Sequence, residues 1–452
     1  MPFLISNGCS DKNPATSPTD DTADDVPTAP VLTDTELLDK VQKESFKYFW
    51  DYAETNSKLA RERYHTDEPS VDQNLVTTGG SGFGLMTILV GIERDFVPRA
   101  EAVTRLNTAL TFLENADRFH GAWSHWIDGN TGNVVPFGAP DNGGDLVETS
   151  FLCQALICVR EYFKTGNAEE QALAQKADEL WKGVDWSWYT RGGQNALWWH
   201  WSPDYEWQMN FKLEGYNECL ITYIMAASSP THPIPAAAYH EGWARSGAIV
   251  SAATKYNMPL VFNYNGVSNN VGPMFWAHYS YLGLNPTGLT DQYANYWTLT
   301  QNHAKIMYEH AIQNPFGWNG YGPDVWGMTA SYTRNSNGST GYSAHMPTND
   351  RGVISPTAAL SSFPYTPTES MAALRYLYEN TDMNLIGVAG PYDAFSPHYN
   401  WRTPRYLAID QGTIVPMIEN HRTGMLWTLF MNAPEVQTGL QTLGFHSSVY
   451  GF

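Results

Sequence analysis

The segment PDNGGDLVETSFLCQAL, residues 140–156, shows how this chain of 452 residues begins its helices. Three acidic residues, Asp141, Asp145 and Glu148, surround a double glycine, and a strongly apolar run follows them. Asp145 and Glu148 have the Asp-x-x-Glu spacing of a capping box, in which each side chain accepts a hydrogen bond from a backbone N–H of the first turn. A helix is therefore predicted to begin here, directly after a long loop.

The same arrangement of a loop followed by a helical pattern recurs along the chain. Apolar residues at three- and four-residue spacing predict helices at 35–54, 82–94, 98–117, 145–164, 168–183, 217–228, 236–255, 291–312, 367–380 and 413–432. Short hairpins are expected in the loops, as in SHWIDGNTGNVVPF at 124–137. Ten or more helices, long loops and no short repeat favour an all-α fold in which helical hairpins close into a ring, an α/α barrel.

The N-terminal residues differ in composition from the rest of the chain. Residues 13–31 are rich in Pro, Thr, Asp and Ala, and such a segment buries too little apolar surface to offset its chain entropy. Residues 1–33 are therefore predicted to be a flexible tether. A capping signal, TDTE at 33–36, marks the expected start of order, and no linker follows it. We therefore expect one domain from residue 34 to residue 452.

The first nine residues, MPFLISNGC, resemble the end of a bacterial lipoprotein signal, with Cys9 as the residue that would carry the lipid. This predicts a place in the bacterial cell envelope, periplasmic or lipid-anchored, with membrane contact only through that anchor. A chance cysteine in a disordered tail is the alternative. The three other cysteines, Cys153, Cys158 and Cys219, lie in apolar helical patterns and are expected to be core residues rather than disulfides or zinc ligands.

Composition and motifs exclude several kinds of function. The formal net charge of −20 disfavours nucleic acid as a partner, because an acidic surface repels a phosphate backbone. The sequence contains no run of about 18 apolar residues, so no membrane span is predicted. GGSGFG, at 79–84, has neither the spacing nor the lysine of a phosphate loop and is interpreted as a tight start to the following helix. No cofactor and no metal site is predicted, and a monomer is expected.

Aromatic residues are concentrated in NALWWHWSPDYEW, residues 195–207. A strand that alternates Trp-Trp-His-Trp cannot place every ring on one buried face. Aromatic side chains that line a groove offer flat apolar faces with a polar edge, which suits the C–H faces and hydroxyl rims of sugar rings. A glycan groove and a packed core are therefore both open interpretations of this segment.

The carboxylates at helix starts suggest proton transfer. Glu218 falls on the same helical face as Ile221 and Met225, which should point inward. An inward carboxylate loses hydration, so its pKa rises and it becomes suited to donate a proton near neutral pH. The same argument applies to Glu148, although a buried cap or an ion-pair partner is the alternative for either residue. At Asp145 the helix dipole stabilises the charged form, which favours a base or a sugar-hydroxyl acceptor.

Six segments, taken in chain order, resemble the bacterial glucoamylase-like family and, within it, the endo-β-1,2-glucanases. They are GGSGFGLMTILVGIERDF, DNGGDLVETSFLCQAL, LEGYNECLITYIMA, YGPDVWGMTASYT, GVISPTAALSSFPYTPTESMAALRYL and YLAIDQGTIVPMIENHRTGMLW. The resemblance runs from about residue 36 to the C-terminus. It implies a single (α/α)6 barrel that hydrolyses linear β-1,2-glucan to sophorooligosaccharides, by an anomer-inverting mechanism without a metal.

The resemblance also implies roles for particular residues. Its acidic cleft positions match Asp141, Asp145, Glu148, Glu218 and Asp410. Glu218 is the expected general acid, whereas Asp410, Glu148 and Asp145 compete for the role of base. Glycosidic bond cleavage needs one such acid and one carboxylate that activates water or attacks carbon. The expected sugar contacts are Asp141, Trp201, Tyr216, Trp326 and Trp401.

Other functions stay open at this stage. Another glucan-active hydrolase, or a phosphorylase, is compatible with the same scaffold, and a phosphorylase would need a cationic phosphate pocket. A non-catalytic glycan-binding lipoprotein would also carry a lipidated tail and aromatic platforms, but it has no use for several inward carboxylates. The β-1,2 linkage rests on the resemblance alone.

Overall fold

The computed structural model describes residues 32–380 and 382–452, so Cys9 and all of the predicted tether except residues 32 and 33 lie outside the described residues. Its α-helices are α1 Asp34–Trp50, α2 Thr78–Glu93, α3 Arg99–Asn115, α4 Leu146–Phe163, α5 Ala168–Lys182, α6 Leu220–Ser228, α7 Tyr296–Gln313, α8 Pro356–Leu360, α9 Pro367–Glu379, α10 Ala408–Arg422, α11 Met425–Met431 and α12 Pro434–Thr442.

The strands are short and pair antiparallel in ten small sheets. They are β1 Arg63–His65, β2 Leu75–Thr77, β3 Arg118–Phe119, β4 Ala122–Trp123, β5 Trp126–Asp128, β6 Val134–Val135, β7 Gly144–Asp145, β8 Leu197–Trp198, β9 His200–Trp201, β10 Lys212–Leu213, β11 Thr254–Lys255, β12 Met258–Pro259, β13 Leu289–Thr290, β14 Ala330–Arg334, β15 Thr340–Ala344, β16 Ile386–Gly387, β17 Gly390–Pro391, β18 Phe395–Ser396, β19 Trp401–Arg402, β20 Arg405–Leu407 and β21 His446–Ser447.

Six helical elements form an inner ring and six others pack around it. The inner elements, in chain order, are α2, α4, α6, a pair of 3-10 turns at Met274–Ala277 and Tyr279–Tyr281 that together form the fourth element, α8 and α10, and α10 returns to pack on α2. The outer elements are α1, α3, α5, a π-helical turn at Ala238–Trp243, α7 and α9. Outer and inner elements alternate along the chain, which confirms the predicted (α/α)6 barrel.

Burial and residue size separate the inner helices from the outer ones. α2 is buried on all sides, whereas α1 and α5 bury one face only, as expected of helices with one apolar stripe. A Cβ atom at Gly82 of α2 would lie 2.7 Å from the backbone of Leu152 in α4, so only glycine permits the two inner helices to approach this closely. The GGSGFG segment is thus part of α2 itself, which begins at Thr78, four residues before the predicted start.

The connections differ in length at the two ends of the ring. The long loops 51–77, 116–145, 183–219, 244–273, 314–355 and 382–407 all precede an inner element. Because inner elements run parallel to one another, these loops gather at one end of the barrel, which we call the mouth. Residues near the start of an inner helix are therefore presented at the mouth.

Two helix predictions were wrong for local reasons. The pattern at 236–255 yields only the turn Ala238–Trp243, because Arg245 and Ser246 adopt positive φ angles of 52° and 53°, which end a right-handed helix. The pattern at 413–432 covers the end of α10 and all of α11, which are separated by Gly424 with φ of 69°. The hairpin at 124–137 is confirmed as β5 and β6, and Cys153, Cys158 and Cys219 are buried and unpaired, as predicted.

Candidate active site

Asp145 caps α4 and is surrounded by hydrogen-bond donors. Its Oδ1 accepts from the backbone N–H of Val147 at 3.0 Å, from that of Glu148 at 2.9 Å and from the indole N–H of Trp199 at 2.8 Å. Its Oδ2 lies 3.1 Å from Nδ1 of His125. Burial raises the pKa of Asp145, but the His125 hydrogen bond, the nearby imidazole charges and the backbone N–H outweigh burial and lower it. Asp145 is therefore a fixed negative charge, and its predicted capping role is confirmed.

Glu148 does not complete the predicted capping box. Its Oε2 accepts a hydrogen bond of 2.7 Å from the backbone N–H of Gly79, in the first turn of α2, rather than from its own helix. A Cβ atom on Gly79 would lie 2.5 Å from the same oxygen, so the glycine makes room for the carboxylate. Burial raises the pKa of Glu148 to about 7; the charge of His125 opposes this rise and that of Asp145 adds to it. Glu148 therefore joins two inner helices at the mouth.

Two histidines hold this group of carboxylates together. Burial lowers the pKa of His125, but Glu148 and the hydrogen bond to Asp145 raise it to about 10, so the ring is cationic at neutral pH. Nε2 of His200 lies 3.6 Å from Oδ2 of Asp141 and 3.7 Å from Oδ2 of Asp145. Burial and the charge of Asp145 raise the pKa of Asp141. Asp141, Asp145 and Glu148 thus meet as the sequence predicted, with a positive charge between them.

A cavity of about 620 Å³ opens beside this cluster at the mouth. Its polar wall includes His125, Asp141, His200 and Glu218, and the rest is largely apolar and aromatic. The rings that line it include Phe137, Trp199, Phe211, Phe275, Trp276 and Tyr342. Three of these rings are unusually exposed for their size, Phe137 by 53%, Phe211 by 47% and Tyr342 by 55%. An apolar wall with a few converging polar groups is typical of a ligand-binding pocket.

Glu218 lies in the cavity wall, just before α6. Its backbone carbonyl accepts a hydrogen bond of 2.6 Å from Ser280, which fixes its position, and no other side chain of residues 32–380 or 382–452 donates to its carboxylate. Burial raises the pKa of Glu218 to about 7; its own backbone N–H opposes the rise, and the charges of Glu148 and Asp145 add to it. A carboxyl group with this pKa, open to a cavity and with no side-chain donor among the described residues, is suited to deliver a proton.

Asp410 lies in the first turn of α10 and forms a buried pair with Asp393. The two side chains are 3% and 4% exposed and hydrogen-bond each other. Oδ2 of Asp393 accepts from the backbone N–H of Tyr332 at 2.7 Å, whereas Oδ1 of Asp393 and Oδ2 of Asp410 meet no donor in the described part of the chain. Burial and the charge of Asp393 raise the pKa of Asp410, and burial raises that of Asp393 to about 6. The pair therefore holds one shared proton near neutral pH.

Glu62, Tyr279 and Tyr342 are among the residues of this site that the sequence did not predict. The charge of Glu62 raises the pKa of both Glu148 and Asp410. The Tyr279 hydroxyl is buried, and after burial itself the charge of Asp410 is the largest influence that raises its pKa. Glu62 precedes an arginine and is typical of a surface ion pair, while Tyr279 and Tyr342 lie in segments without helical periodicity. No local pattern distinguished them, because distant loops bring them together.

Asp393 was also not predicted, since the segment PYDAFS carries no helical or capping signal. Only the pairing of β18 with β19, and of Ile354 with Phe395, brings this loop against the start of α10.

The predicted aromatic sugar contacts are not supported by their positions. Tyr216 is fully buried and donates to the backbone of Trp276, and Trp326 is 1% exposed and donates to the backbone of Glu369, so both are core residues. Trp201 is half-buried against His120 and Trp188 instead of the cavity. Trp401 is half-buried against a small apolar cluster around Tyr332 and is likewise outside the cavity wall. The indoles that line the cavity are Trp199 and Trp276, neither of which the pattern singled out.

One group in the described ranges has the spacing of metal ligands. Atoms of His65, Asp67 and Glu68 lie within 4.8 Å of one another. Arg405 already contacts Asp67 at 3.1 Å and Glu68 at 3.3 Å, and Nε2 of His65 is bonded to the Tyr332 hydroxyl at 2.7 Å. The guanidinium supplies the positive charge at this position, and we assign no metal to it. Among the described residues, no helix is both long and apolar enough to cross a membrane.

Comparison with known proteins gives consistent similarities. Residues 210–434 match the Glycoamylase family model, described as "Putative glucoamylase". The chain is 55% identical to an endo-β-1,2-glucanase from Chitinophaga pinensis, whose structure is a complex with sophorotriose and glucose; the match covers 93% of this chain and 100% of that one, with a TM-score of 0.90.

Two further relatives extend the comparison. The chain is 45% identical, over 430 residues, to an exo β-1,2-glucooligosaccharide sophorohydrolase (non-reducing end) from Parabacteroides distasonis. That match covers 91% of this chain and 58% of the relative, so the chain spans less than two thirds of that protein's length. An endo-β-1,2-glucanase variant from Talaromyces funiculosus, solved with β-1,2-glucan, has a TM-score of 0.68 over 90% of this chain and 89% of that one. Its identity is 12%, so it shows a shared fold alone.

Proposed function

Since the chain belongs to the glucoamylase-like family that contains the bacterial β-1,2-glucanases, we propose that it hydrolyses linear β-1,2-glucan at internal bonds and releases sophorooligosaccharides. The observation that carries the proposal is the placement of Glu218 in the wall of the 620 Å³ cavity, with its pKa raised to about 7. There it protonates the glycosidic oxygen of the leaving sugar.

The base in this proposal is Asp410. The inner ring has six members, of which α6 is the third and α10 the sixth, so the starts of these two helices face each other across the barrel. In this proposal Glu218 and Asp410 act from opposite sides of a bound chain, as an anomer-inverting displacement by water requires. Asp410 is 3% exposed and is not among the residues that line the cavity, so a water carries the proton to its carboxylate. The higher pKa of Asp410 places the shared proton there at rest; once the proton moves to Asp393, the Asp410 carboxylate is free to take a proton from the attacking water.

The other two candidates for the base fit less well. Asp145 is as buried as Asp410, but three N–H donors and a cationic imidazole occupy its oxygens. Glu148 lies on α4, next to α6 in the ring, on the same side as the acid. We assign Asp145 and Glu148 the role of fixing the charge and orientation of His125 beside the cavity. Asp141 and His200 line the cavity, and in this proposal they hydrogen-bond to sugar hydroxyls.

Aromatic rings provide the sugar-binding surface. Phe137, Phe211 and Tyr342 expose about half of their area within the cavity. Sugar rings placed against these faces would cover apolar surface that water otherwise contacts. In this proposal they replace the aromatic residues that the sequence suggested.

A second candidate is exo action that releases sophorose from the non-reducing end. The Parabacteroides distasonis relative carries that description. The endo-acting relative is more similar, at 55% identity and over its full length, and internal cleavage is therefore the main proposal. The distribution of early products separates the two, because exo action releases one short product from the beginning, whereas internal cleavage first yields a range of lengths.

The test is product release from linear β-1,2-glucan, with laminarin, carboxymethylcellulose and soluble starch in parallel, by the wild type and Glu218→Gln. We expect oligosaccharides from β-1,2-glucan only, and a loss of about 10²–10⁴-fold in kcat in the variant. Glu214→Gln is the matched control, since Glu214 lies on the same loop, is 41% exposed and pairs with Lys212. Cleavage of starch instead would overturn the linkage, cleavage that depends on phosphate would indicate a phosphorylase, and binding without cleavage would indicate a glycan-binding protein.

The cellular setting belongs to the proposal as well. We propose a monomer that is tethered to the bacterial cell envelope through a lipid on Cys9. Metabolic labelling with a fatty acid, compared between the wild type and Cys9→Ser expressed from the complete gene, tests the anchor. Equal labelling of the two proteins would refute it.

A further inference from the structure

A second recess lies at the mouth, separate from the cavity that contains Glu218. It has a volume of about 630 Å³, and Trp318, Arg334, Asn337, Arg351 and Tyr399 are among the residues that line it. These residues belong to the two long loops that precede α8 and α10, so the recess opens at the same end of the barrel as the cavity. We call it the hairpin groove, because one wall is the tip of the β14–β15 hairpin.

Aromatic rings form one side of the hairpin groove. The Trp318 and Tyr399 ring centroids are 6.0 Å apart, with their planes inclined by 53°. The Tyr399 side chain is 39% exposed. The inclined faces of these two rings suit the C–H faces of a sugar ring.

The rest of the groove is rich in donors. The Arg334 guanidinium lies 4.7 Å from the centre of the Tyr399 ring. Within the part of the chain that the structure describes, neither Arg334 nor Arg351 has a carboxylate within ion-pair distance. The carboxylate that also borders the groove, Asp350, is fully buried and is bonded to His310 and Tyr321. Arg334 donates to the backbone carbonyl of Asn335 at 3.3 Å and Arg351 donates to Oδ1 of Asn349 at 3.3 Å. Their remaining N–H groups suit a ligand with several acceptor oxygens.

The hairpin connects the groove to the cavity. Ala330, Tyr342 and Ala344, near its base, line the cavity, whereas Arg334 and the turn that follows line the groove. From Ala330 to Arg334 the strand advances four residues, which is roughly 13 Å at about 3.3 Å per residue. A glucan chain that leaves the cavity along this hairpin is long enough to reach the groove with only a few more sugar units.

We propose that the hairpin groove is a second binding site for the same glucan chain, outside the sites that flank the cleaved bond, and that it favours long chains over short ones. In it, Tyr399 and Trp318 contact the sugar faces, and Arg334 and Arg351 donate to hydroxyl oxygens. This inference rests on the proposed function, because it assumes that the occupant of the cavity is a glucan.

The experiment measures binding by calorimetry in the Glu218→Gln background, so that no ligand is consumed. The ligands are long linear β-1,2-glucan and sophorotriose, and the variants are Arg334→Ala and Tyr399→Ala. We expect the affinity for the long chain to fall roughly tenfold in each variant, because each loses a charge-assisted hydrogen bond or an aromatic contact. The affinity for sophorotriose should stay unchanged, which also shows that the variants are folded.

Phe316→Ala is the matched control, since Phe316 is 57% exposed, lies on the same long loop and does not line the groove. Unchanged affinity for the long chain in both groove variants overturns the inference, and so does an equal loss for both ligands, which would mean that the hairpin only shapes the cavity. Binding of inorganic sulfate or phosphate to the groove with no effect on glucan affinity also overturns it. The wild-type activity assay separates failure of this inference from failure of the proposed function. If the wild type cleaves β-1,2-glucan, only the inference is refuted. If it neither cleaves nor binds glucan, the proposed function is refuted.

Discussion

Buried carboxylates on the two sides of the barrel mouth differ in how completely their oxygens are hydrogen-bonded. At the start of α4, three N–H groups and a cationic imidazole surround Asp145, and its pKa is lowered although it is fully buried. At the start of α10, Asp410 is equally hidden but meets only another carboxyl group, and its pKa is raised. Burial is the same in both cases, so the supply of donors decides which carboxylate stays charged and which holds a proton.

The difference assigns separate roles to the two sides. Donors already occupy the oxygens of Asp145, so protonation would weaken several hydrogen bonds. Asp145 therefore acts as a structural charge that orients His125. A carboxyl pair with unused oxygens exchanges protons readily, so the Asp393–Asp410 pair is suited to chemistry. The comparison would fail if substitutions on the two sides had the same consequences.

The largest effect should follow from Asp410→Asn. An amide cannot accept the proton of the attacking water, so we expect kcat to fall about 10²–10⁴-fold while the fold is kept. Asp393→Asn is the contrast: its amide can donate to the Asp410 carboxylate and keep it ionised. That variant should retain most of its activity, with the acid limb of the pH profile moved to lower pH, because a negative neighbour has been removed. Steady-state kinetics on β-1,2-glucan over a range of pH check both expectations, and equal losses in the two variants would argue against Asp410 as the base.

The second effect concerns stability, which should depend more on the carboxylate at the start of α4 than on the pair at the start of α10. Asp145→Asn removes the carboxylate that hydrogen-bonds to His125 and leaves Glu148 as the nearby negative charge, so the free energy of unfolding should fall by about 3 kcal/mol. Asp393→Asn should change it by less than about 1 kcal/mol, since the Asn carbonyl can accept from the Tyr332 backbone N–H and its amide can donate to Asp410. Denaturant unfolding of each variant gives these values. Thr33→Ala is the control, because it removes an exposed N-cap and should cost only about 1 kcal/mol.

The third effect is on the alkaline side of the pH profile. Glu218 must be protonated to act as the acid, and its pKa is raised to about 7, so kcat/KM should fall tenfold per pH unit above pH 7. Glu148→Gln removes a negative charge that raises this pKa, so the same limb should move to lower pH. In Glu218→Gln the remaining kcat/KM should no longer fall as the pH rises above 7. A limb that persists unchanged in Glu218→Gln would assign the acid to another residue.

The smallest effect tests the aromatic wall of the cavity. Phe211→Ala should raise KM several-fold with little change in kcat, since one apolar face of the sugar-binding surface is lost. Trp201→Phe should leave both constants unchanged, because Trp201 packs against His120 and Trp188 outside the cavity. If Trp201→Phe raised KM and Phe211→Ala did not, the sequence-based choice of aromatic contacts would be right after all.

The sequence by itself determined the architecture and much of the acidic cluster. Helical periodicity and capping signals located most of the longer helices, and the alternation of helices with long loops predicted the ring, because these features depend on residues a few positions apart. The same local logic placed Asp145 at a helix start and turned Glu218 inward. Asp410 likewise stands at a probable helix start after a long loop, and the family resemblance then matched it to the acidic cleft.

Only the tertiary structure decided how those residues are connected. The capping-box pattern at Asp145 and Glu148 predicted a reciprocal pair within one turn, yet Glu148 is bonded to Gly79 of another helix. The backbone of α2 lies close enough to offer a better donor. Contacts between segments far apart in sequence bring Asp393, Tyr279 and Glu62 to the site and bury Tyr216 and Trp326 in the core. Protonation, exposure and the choice between core and cavity depend on which groups surround a side chain in space, and a local pattern does not contain that information.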